Sequence, residues 1–501
     1  MTQLILLPIL FQACLAVLLL FFYTKTKTQK VLSIAGSSVN LVIASLLFYT
    51  VWVNGSMSVQ AGNWSAPFGI TFVADTLAVT MVLLTAIVGF AVSVFSAFTI
   101  ARDRLRFGYF SILHFLLMGL AGSFLTGDIF NLYVWFEIIL ISSFVLLTIG
   151  SEKKQLEGAV KYFALNMLAS IMFLTALGIL YGLTGTLNMA DLSGKVAALE
   201  NRGLVNVCAL FFFIGFGIKA ALFPLYAWLP DSYHAPPTAV TAIFSGLLTK
   251  VAVYALIRVF SVVFVVDEFF SQLFIILAVI TIFSGGIGAL VQTNIRKFFS
   301  YLIICHIGYM IIGLGLFNEI ALAGMVFYLI HDVVIKTNLF LISGVIVKIK
   351  GTSDMRKLGD IYNDYPKLAL LFALSLFSLI GIPPLSGFWP KVSLILGGME
   401  ADNYLTVGFI LFGSFITLVV VAKLWAQVFW KSSANLEEHE DFSYFNKLRK
   451  RRKVAILFPV VFLTLVTLYI GFGAESVNTL ATRIAGELIN VQPYIDTVMG
   501  K

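Results

Sequence analysis

Apolar stretches of about 18 or more residues, each long enough to cross a hydrocarbon core of roughly 30 Å as a helix, recur along the whole chain. The first seven fall at 3–23, 31–53, 76–99, 107–127, 129–150, 158–182 and 204–228. The second seven fall at 239–263, 271–291, 299–317, 319–347, 366–396, 404–430 and 454–473. This pattern predicts an all-α polytopic membrane protein of about fourteen helices with both termini on one side. The first run, Leu4 to Phe22, has neither the basic lead nor the small-residue cleavage site of a signal peptide, and is expected to be a retained span.

Composition agrees. Of the 501 residues 60% are hydrophobic and only 12% charged, whereas a soluble domain carries roughly 25% charged residues. The net charge of +8 does not point to nucleic acid, because the basic residues sit in short loops between apolar runs instead of along one polar face. Cys14, Cys208 and Cys305 lie inside apolar runs without ligand spacing, so no disulfide, metal site or redox cofactor is expected. Orientation follows from the loops, since cytoplasmic connections retain positive charge. Alternate loops carry Lys25, Lys27 and Lys30, then Arg102, Arg104 and Arg106, then Lys153 and Lys154, then Arg296 and Lys297. Later loops on the same side carry Lys348, Lys350, Arg356, Lys357 and Lys367, and finally Lys431 with the basic run from Lys447 to Lys453. That side holds 22 basic residues against four on the other (Lys195, Arg202, Arg483, Lys501), which places both termini outside the cytoplasm. Segment 432–446, with Glu437, Glu438, Glu440 and Asp441, is expected to be a solvated connection.

Seven of the 33 basic residues remain within or near spans: Lys161, Lys219, Lys250, Arg258, Lys336, Lys391 and Lys423. A charge at the membrane centre is disfavoured by at least about 2.5 to 3.5 kcal/mol, so it persists only beside a partner, a water-filled cavity or a function. Lys161 and Arg258 lie near helix ends, where a long side chain reaches the interface, and are read as structural. Lys219 precedes Pro224, and Lys391 follows Pro383, Pro384 and Pro390, so both sit beside predicted helix breaks. Lys250 falls near mid-span, and Glu137 is the one carboxylate with a long apolar run before and after it. Glu137 is the natural partner for a buried lysine, above all Lys219. Burial and pairing act oppositely on an acid and a base, so making and breaking such a pair loads or releases a proton. A static pair that fixes helix packing is the competing reading.

His331, Asp332 and Lys336 crowd into six intramembrane positions, which points to a relay. His306 fits a relay and a plain hydrogen bond to a carbonyl equally well. His234, Asp332 and Lys423, the last eight residues from its cytoplasmic end, are weaker candidates, and His114 is read as structural. Two interrupted helices at corresponding places predict a duplicated transport unit. Pro224 to Pro230 matches Pro384 to Pro390 with an offset of 160, yet Lys219 to Lys391 spans 172 and Lys250 to Lys423 spans 173, so the registers disagree. The expected organisation is a three-helix segment (1–106), a first repeat (107–263), a second repeat (264–430) and a loop with the last helix (431–501). Helices four to eight and nine to thirteen would then be two inverted five-helix repeats, with helices seven and twelve broken.

These residues resemble a known family. Gly217-Ile-Lys219-Ala-Ala-Leu-Phe-Pro224-Leu-Tyr-Ala-Trp-Leu-Pro230-Asp-Ser-Tyr-His234-Ala-Pro236-Pro-Thr, Asn294-Ile-Arg-Lys-Phe-Phe-Ser-Tyr with His306-Ile-Gly-Tyr, and Gly381-Ile-Pro-Pro-Leu-Ser-Gly-Phe-Trp-Pro-Lys391 carry the likeness. Over essentially its whole length the chain resembles the antiporter-like subunits shared by respiratory complex I and Mrp-type cation/proton antiporters, most of all the D type. The resemblance implies fourteen helices, inverted repeats and a central polar axis. By position, Glu137 matches the family's acidic residue of helix five, and Lys219, Lys250 and Lys391 match its lysines of helices seven, eight and twelve. His331 and Lys336 are similar to a His-Lys pair on helix eleven, although four residues intervene here where three are expected. The expected function is a proton-translocating, non-enzymatic subunit of a sodium/proton antiporter in the bacterial cell membrane, without catalytic residues or cofactors. Its partners would be A, B, C, E, F and G type membrane subunits, and its cargo protons and Na+. The alternative is a proton-pumping subunit of complex I or a membrane hydrogenase. The long lateral helix of the family's larger members is not expected.

Overall fold

The computed structural model describes residues 2–432, 445 and 448–500, and a helix occupies every predicted apolar segment. The acidic run at Glu437 to Asp441 lies outside the described residues. The helices are α1 (Leu7–Phe21), α2 (Thr26–Asn54), α3 (Thr76–Thr99), α4 (Tyr109–Leu125), α5 (Ile129–Thr148), α6 (Lys153–Thr184), α7 (Arg202–Ala220), α8 (Trp228–Tyr233) and α9 (Thr238–Val263). They continue as α10 (Glu268–Val291), α11 (Ile295–Leu316), α12 (Glu319–Lys350), α13 (Pro366–Ile380), α14 (Phe388–Glu400), α15 (Tyr404–Trp430), α16 (Lys450–Phe472), α17 (Ala474–Ile489) and α18 (Gln492–Met499). Among the described residues, 11 helices are long and apolar enough to cross a membrane, and α1, α4 and α13 are shorter apolar helices. The protein is a mostly helical, multi-pass membrane protein. Its described strands form one antiparallel hairpin, β1 (Met57–Gln60) and β2 (Thr71–Ala74).

Apolar length makes the spans, and short polar side chains start them. Asp75, Asp128, Asp267, Asn294, Asn318 and Asn403 each accept a hydrogen bond from a backbone N–H in the first turn of the helix they precede. The two predicted breaks share one geometry. At the first, Ala221 takes up φ +65° and the Leu222 N–H reaches back to Gly217 O at 2.9 Å. At the second, Gly381 takes up φ +90° and the Ile382 N–H reaches back to Phe377 O at 3.1 Å. Each is a left-handed stop whose 6→1 hydrogen bond closes the helix, followed by an irregular stretch before α8 or α14 begins. The two stops lie 160 residues apart, the same offset as the prolines. Lys219 lies just before its break and Lys391 just after its own, so the two lysines are not equivalent.

α9 and α12 are enclosed along almost their whole apolar length, whereas α2, α6 and α15 leave most of theirs on the outside. α12 is the central post, packed by α3, α9, α11, α13, α14, α16 and α17. Gly246 lets α9 come close to it: a Cβ there would run into Thr337 Oγ1 and stand 3.1 Å from Val333 O. The chain after α16 folds back as α17 and α18, which apolar length alone did not predict. α17 packs on α12, and α18 meets the hairpin, where Ser58 Oγ donates to Thr497 O at 2.8 Å.

Candidate functional site

The charged side chains converge on one carboxylate of α12. Lys250 Nζ stands 2.6 Å from Asp332 Oδ2, with both side chains wholly buried. His306 Nδ1 lies 3.1 Å from Asp332 Oδ1, and Lys336 Nζ, one turn along α12, lies 3.8 Å from the same oxygen. Backbone carbonyls complete the coordination of the ammoniums. Lys336 donates to Leu302 O at 2.9 Å, and Lys250 donates to Ser245 O at 2.8 Å. Ser245 belongs to a π-helical turn over Phe244–Leu248, a widened turn of the kind that often marks functional sites. Asp332, one of the weaker candidates from the sequence, is thus the carboxylate on which the cluster converges, and it is a second carboxylate within an apolar segment besides Glu137. Simple counting missed it because His331 and Lys336 interrupt the apolar run around it.

Lys219 is held separately. Its Nζ donates to Ser170 Oγ at 3.1 Å and to Asn166 O at 3.5 Å, and stands 5.2 Å from the centre of the Phe136 ring. Glu137 is close enough for its charge to act on Lys219, but the expected ion pair is not formed within 4.0 Å. Glu137 Oε1 is buried without a hydrogen-bonding partner among the described residues. A cavity of about 20 Å³, lined by Tyr162, Asn166, Lys219, Leu248 and Val251, separates Lys219 from the α9 turn that carries Lys250. It is of a size to hold roughly one water molecule.

Lys391 Nζ donates to Ile380 O at 2.7 Å, across the break, and lies 5.2 Å from the Tyr309 ring. Tyr309 in turn packs edge-on to His306, with ring centres 6.0 Å apart. His331 points away from Asp332: its Nδ1 is 2.8 Å from Ser386 Oγ, which is itself 2.5 Å from Ser378 Oγ. An offset of five residues puts His331 and Lys336 on different faces of α12, whereas the offset of four puts Asp332 and Lys336 on one. His306 Nε2, His331 Nε2 and Tyr328 OH have no partner among the described residues. Buried polar atoms of this kind are normally satisfied by ordered water.

The remaining candidates are peripheral to this line. His234 Nδ1 lies 3.0 Å from Pro230 O, and burial, followed by the nearby Lys297 charge, holds its imidazole below the ordinary value. Lys423 is half-buried and donates to Leu290 O, away from the cluster. Lys161 is exposed and pairs with Asp231 at 2.8 Å, in keeping with its structural reading. Arg258 is a correction. Its side chain does not extend into the open; it is buried in a two-pronged pair with Asp75, the residue that precedes α3, at 2.6 and 2.8 Å. His114 is satisfied at both ring nitrogens, by Gln12 Oε1 at 2.6 Å and Ser33 Oγ at 2.9 Å. Among the described residues no group of His, Cys, Asp and Glu is arranged to hold a metal ion.

Residues 126–417 match the family described as NADH:quinone oxidoreductase/Mrp antiporter, transmembrane. The chain is 40% identical over 500 residues to the D-type subunit of the Na(+)/H(+) antiporter of Alkalihalophilus pseudofirmus, and 38% identical over 500 residues to that of Bacillus subtilis, covering 100% of both chains in each case. Its fold superposes on a chain in the structure of the Mrp complex from Dietzia sp. with a TM-score of 0.90 at 26% identity, covering 100% of each chain. A chain in the structure of the membrane-bound sulfane sulfur reductase, an archaeal respiratory membrane complex, gives 0.87 at 26% identity, with 99% of this chain and 100% of that one covered. A buried polar line threaded through two broken helices, carried on sequence relatives of this closeness, places the chain among the D-type antiporter subunits of the NADH:quinone oxidoreductase/Mrp antiporter family.

Proposed function

We propose that this chain is the proton-conducting membrane subunit of a multisubunit Na+/H+ antiporter, and that protons move along the line from Glu137 and Lys219, through Lys250, Asp332, His306 and Lys336, to Lys391. The observation that carries the reading is the hub: one carboxylate shared by three basic groups, none of them exposed. A buried ion pair is costly to break and costly to leave unpaired, so three bases competing for Asp332 form a set in which a proton gained by one loosens another. Moving Asp332 from Lys250 toward Lys336 or His306 releases one ammonium and fixes the next. Glu137 and Lys219 extend this toward α5 and α6, and Lys391 with Tyr309 extends it toward α14. His331 with Ser386 and Ser378 forms a side branch at the second break, while His234 and Lys423 take no part.

The chain is a transporter subunit working beside A, B, C, E, F and G type membrane chains in the bacterial cell membrane. The lopsided loop charge favours both termini outside the cytoplasm. The matching stops at Ala221 and Gly381 favour two repeats at 107–263 and 264–430, flanked by 1–106 and 431–501. The likeness to a respiratory-complex chain supports a second reading, in which electron transfer elsewhere drives the same line. The test is exchange by the purified complex in sealed liposomes. A sodium gradient alone should move protons, and neutralising Lys250 or Lys336 should stop them while the complex stays assembled. Proton movement that requires a quinone or another electron acceptor would favour the second reading.

A further inference from the structure

A cavity of about 480 Å³ lies at the basic end of the helices, where the start of α2, the loop after α3, the end of α12 and the start of α16 meet. Each element contributes one cation: Lys30, Arg102, Lys348 and Arg452. No carboxylate lines it among the described residues, and its polar complement is completed by the Thr26 and Thr99 side chains. The charge of Arg452 acts against both Lys30 and Lys348. Its guanidinium is held there by donating to Phe98 O at 3.2 Å.

Neighbouring cations are treated differently. Lys350 pairs with Asp364 at 2.7 Å and Arg104 with Glu152 at 2.5 Å. Lys30 and Lys348 are half-buried, yet among the described residues they form neither a hydrogen bond nor an ion pair. Four like charges around one cavity repel one another until an anion enters. The apolar part of its lining includes Phe98, Leu105 and Ile456. Cations and apolar side chains lining one cavity at the ends of membrane helices suit an amphiphilic anion better than a fully hydrated one.

We propose that this cavity binds a phosphate-bearing anion, the headgroup of an anionic phospholipid whose acyl chain packs on the apolar lining residues. The site is separate from the charged line and does not depend on the route protons take. The test uses the assembled complex, stripped of lipid in a neutral detergent, with the unfolding midpoint followed as ligand is added. A ligand bound only by the folded state raises that midpoint. Phosphatidylglycerol should raise it, phosphatidylcholine should not, and the rise should be largely lost in Lys348→Gln and abolished in Lys30→Gln/Lys348→Gln/Arg452→Gln. Lipid extracted from the wild-type complex should retain phosphatidylglycerol that the triple variant lacks. A rise with inorganic phosphate but not with phosphatidylglycerol would keep the anion site and assign it to free phosphate. No rise with either, or an equal rise in wild type and variants, would overturn the proposal, and the wild-type arm decides this even if the triple variant fails to assemble.

Discussion

Replacing Asp332 with Asn leaves the side-chain volume almost unchanged and removes the one charge that Lys250, His306 and Lys336 share at 2.6, 3.1 and 3.8 Å. Removing one partner of a buried pair costs about 3–5 kcal/mol when the other charge stays behind. Here two ammoniums stay behind, so the variant must either carry that cost or keep Lys250 and Lys336 unprotonated. The first fixes both protons in place and the second empties the proton-loading position, and either one stops the exchange. At about 1.4 kcal/mol per factor of ten, even the lower figure corresponds to a fall of at least about 100-fold in exchange. The assay is sodium-induced proton movement across everted membrane vesicles, reported by a pH-sensitive dye and normalised to complex recovered on a native gel. Adding Lys250→Met to Asp332→Asn removes one of the two uncompensated charges, so recovery should rise part of the way toward wild type while exchange stays lost. An assembled Asp332→Asn complex that exchanges at the wild-type rate would refute the hub.

Glu137→Gln and Lys219→Ala should each abolish sodium-dependent proton movement without loss of the assembled complex in the same vesicle assay. Gly246→Val forces a side chain into the space of Thr337, an overpacking worth about 1–3 kcal/mol; it should lower the unfolding midpoint and the yield of complex. Asp75→Asn breaks the buried pair with Arg258 and should destabilise the fold by about 3–5 kcal/mol, measured as lost assembly, while exchange per assembled complex holds. His114→Ala orphans Gln12 and Ser33 at a cost of about 1–3 kcal/mol, again with exchange per complex intact.

The spans were legible because apolar length is a local property, and the breaks because Pro224 and Pro384 mark them in the chain. The identity of the buried lysines was legible for the same reason. Their partners were not. Lys250 and Asp332 are 82 positions apart and Asp75 and Arg258 are 183 apart, so only the packing of α9 on α12 and of the α3 start on the α9 end brings them together. Arg258 looked able to reach the interface because helix position says nothing of what α17 and α18 cover above it. The mismatch between the Lys219 and Lys391 registers also had a physical origin, since one ammonium precedes its helix break and the other follows it. Glu137 was found by its apolar flanks, yet the pair inferred for it is open in this conformation, with Lys219 turned to Ser170 instead.

The most direct measurement is nitrogen-15 magnetic resonance of the lysine ammonium groups in the assembled complex in lipid, with signals assigned through Lys250→Met and Lys336→Met. Reversing the sodium gradient should exchange ammonium and amine character between these two residues, and Asp332→Asn should abolish the change. Two lysines that keep one protonation state under both gradients, while the complex continues to exchange sodium for protons, would contradict the account.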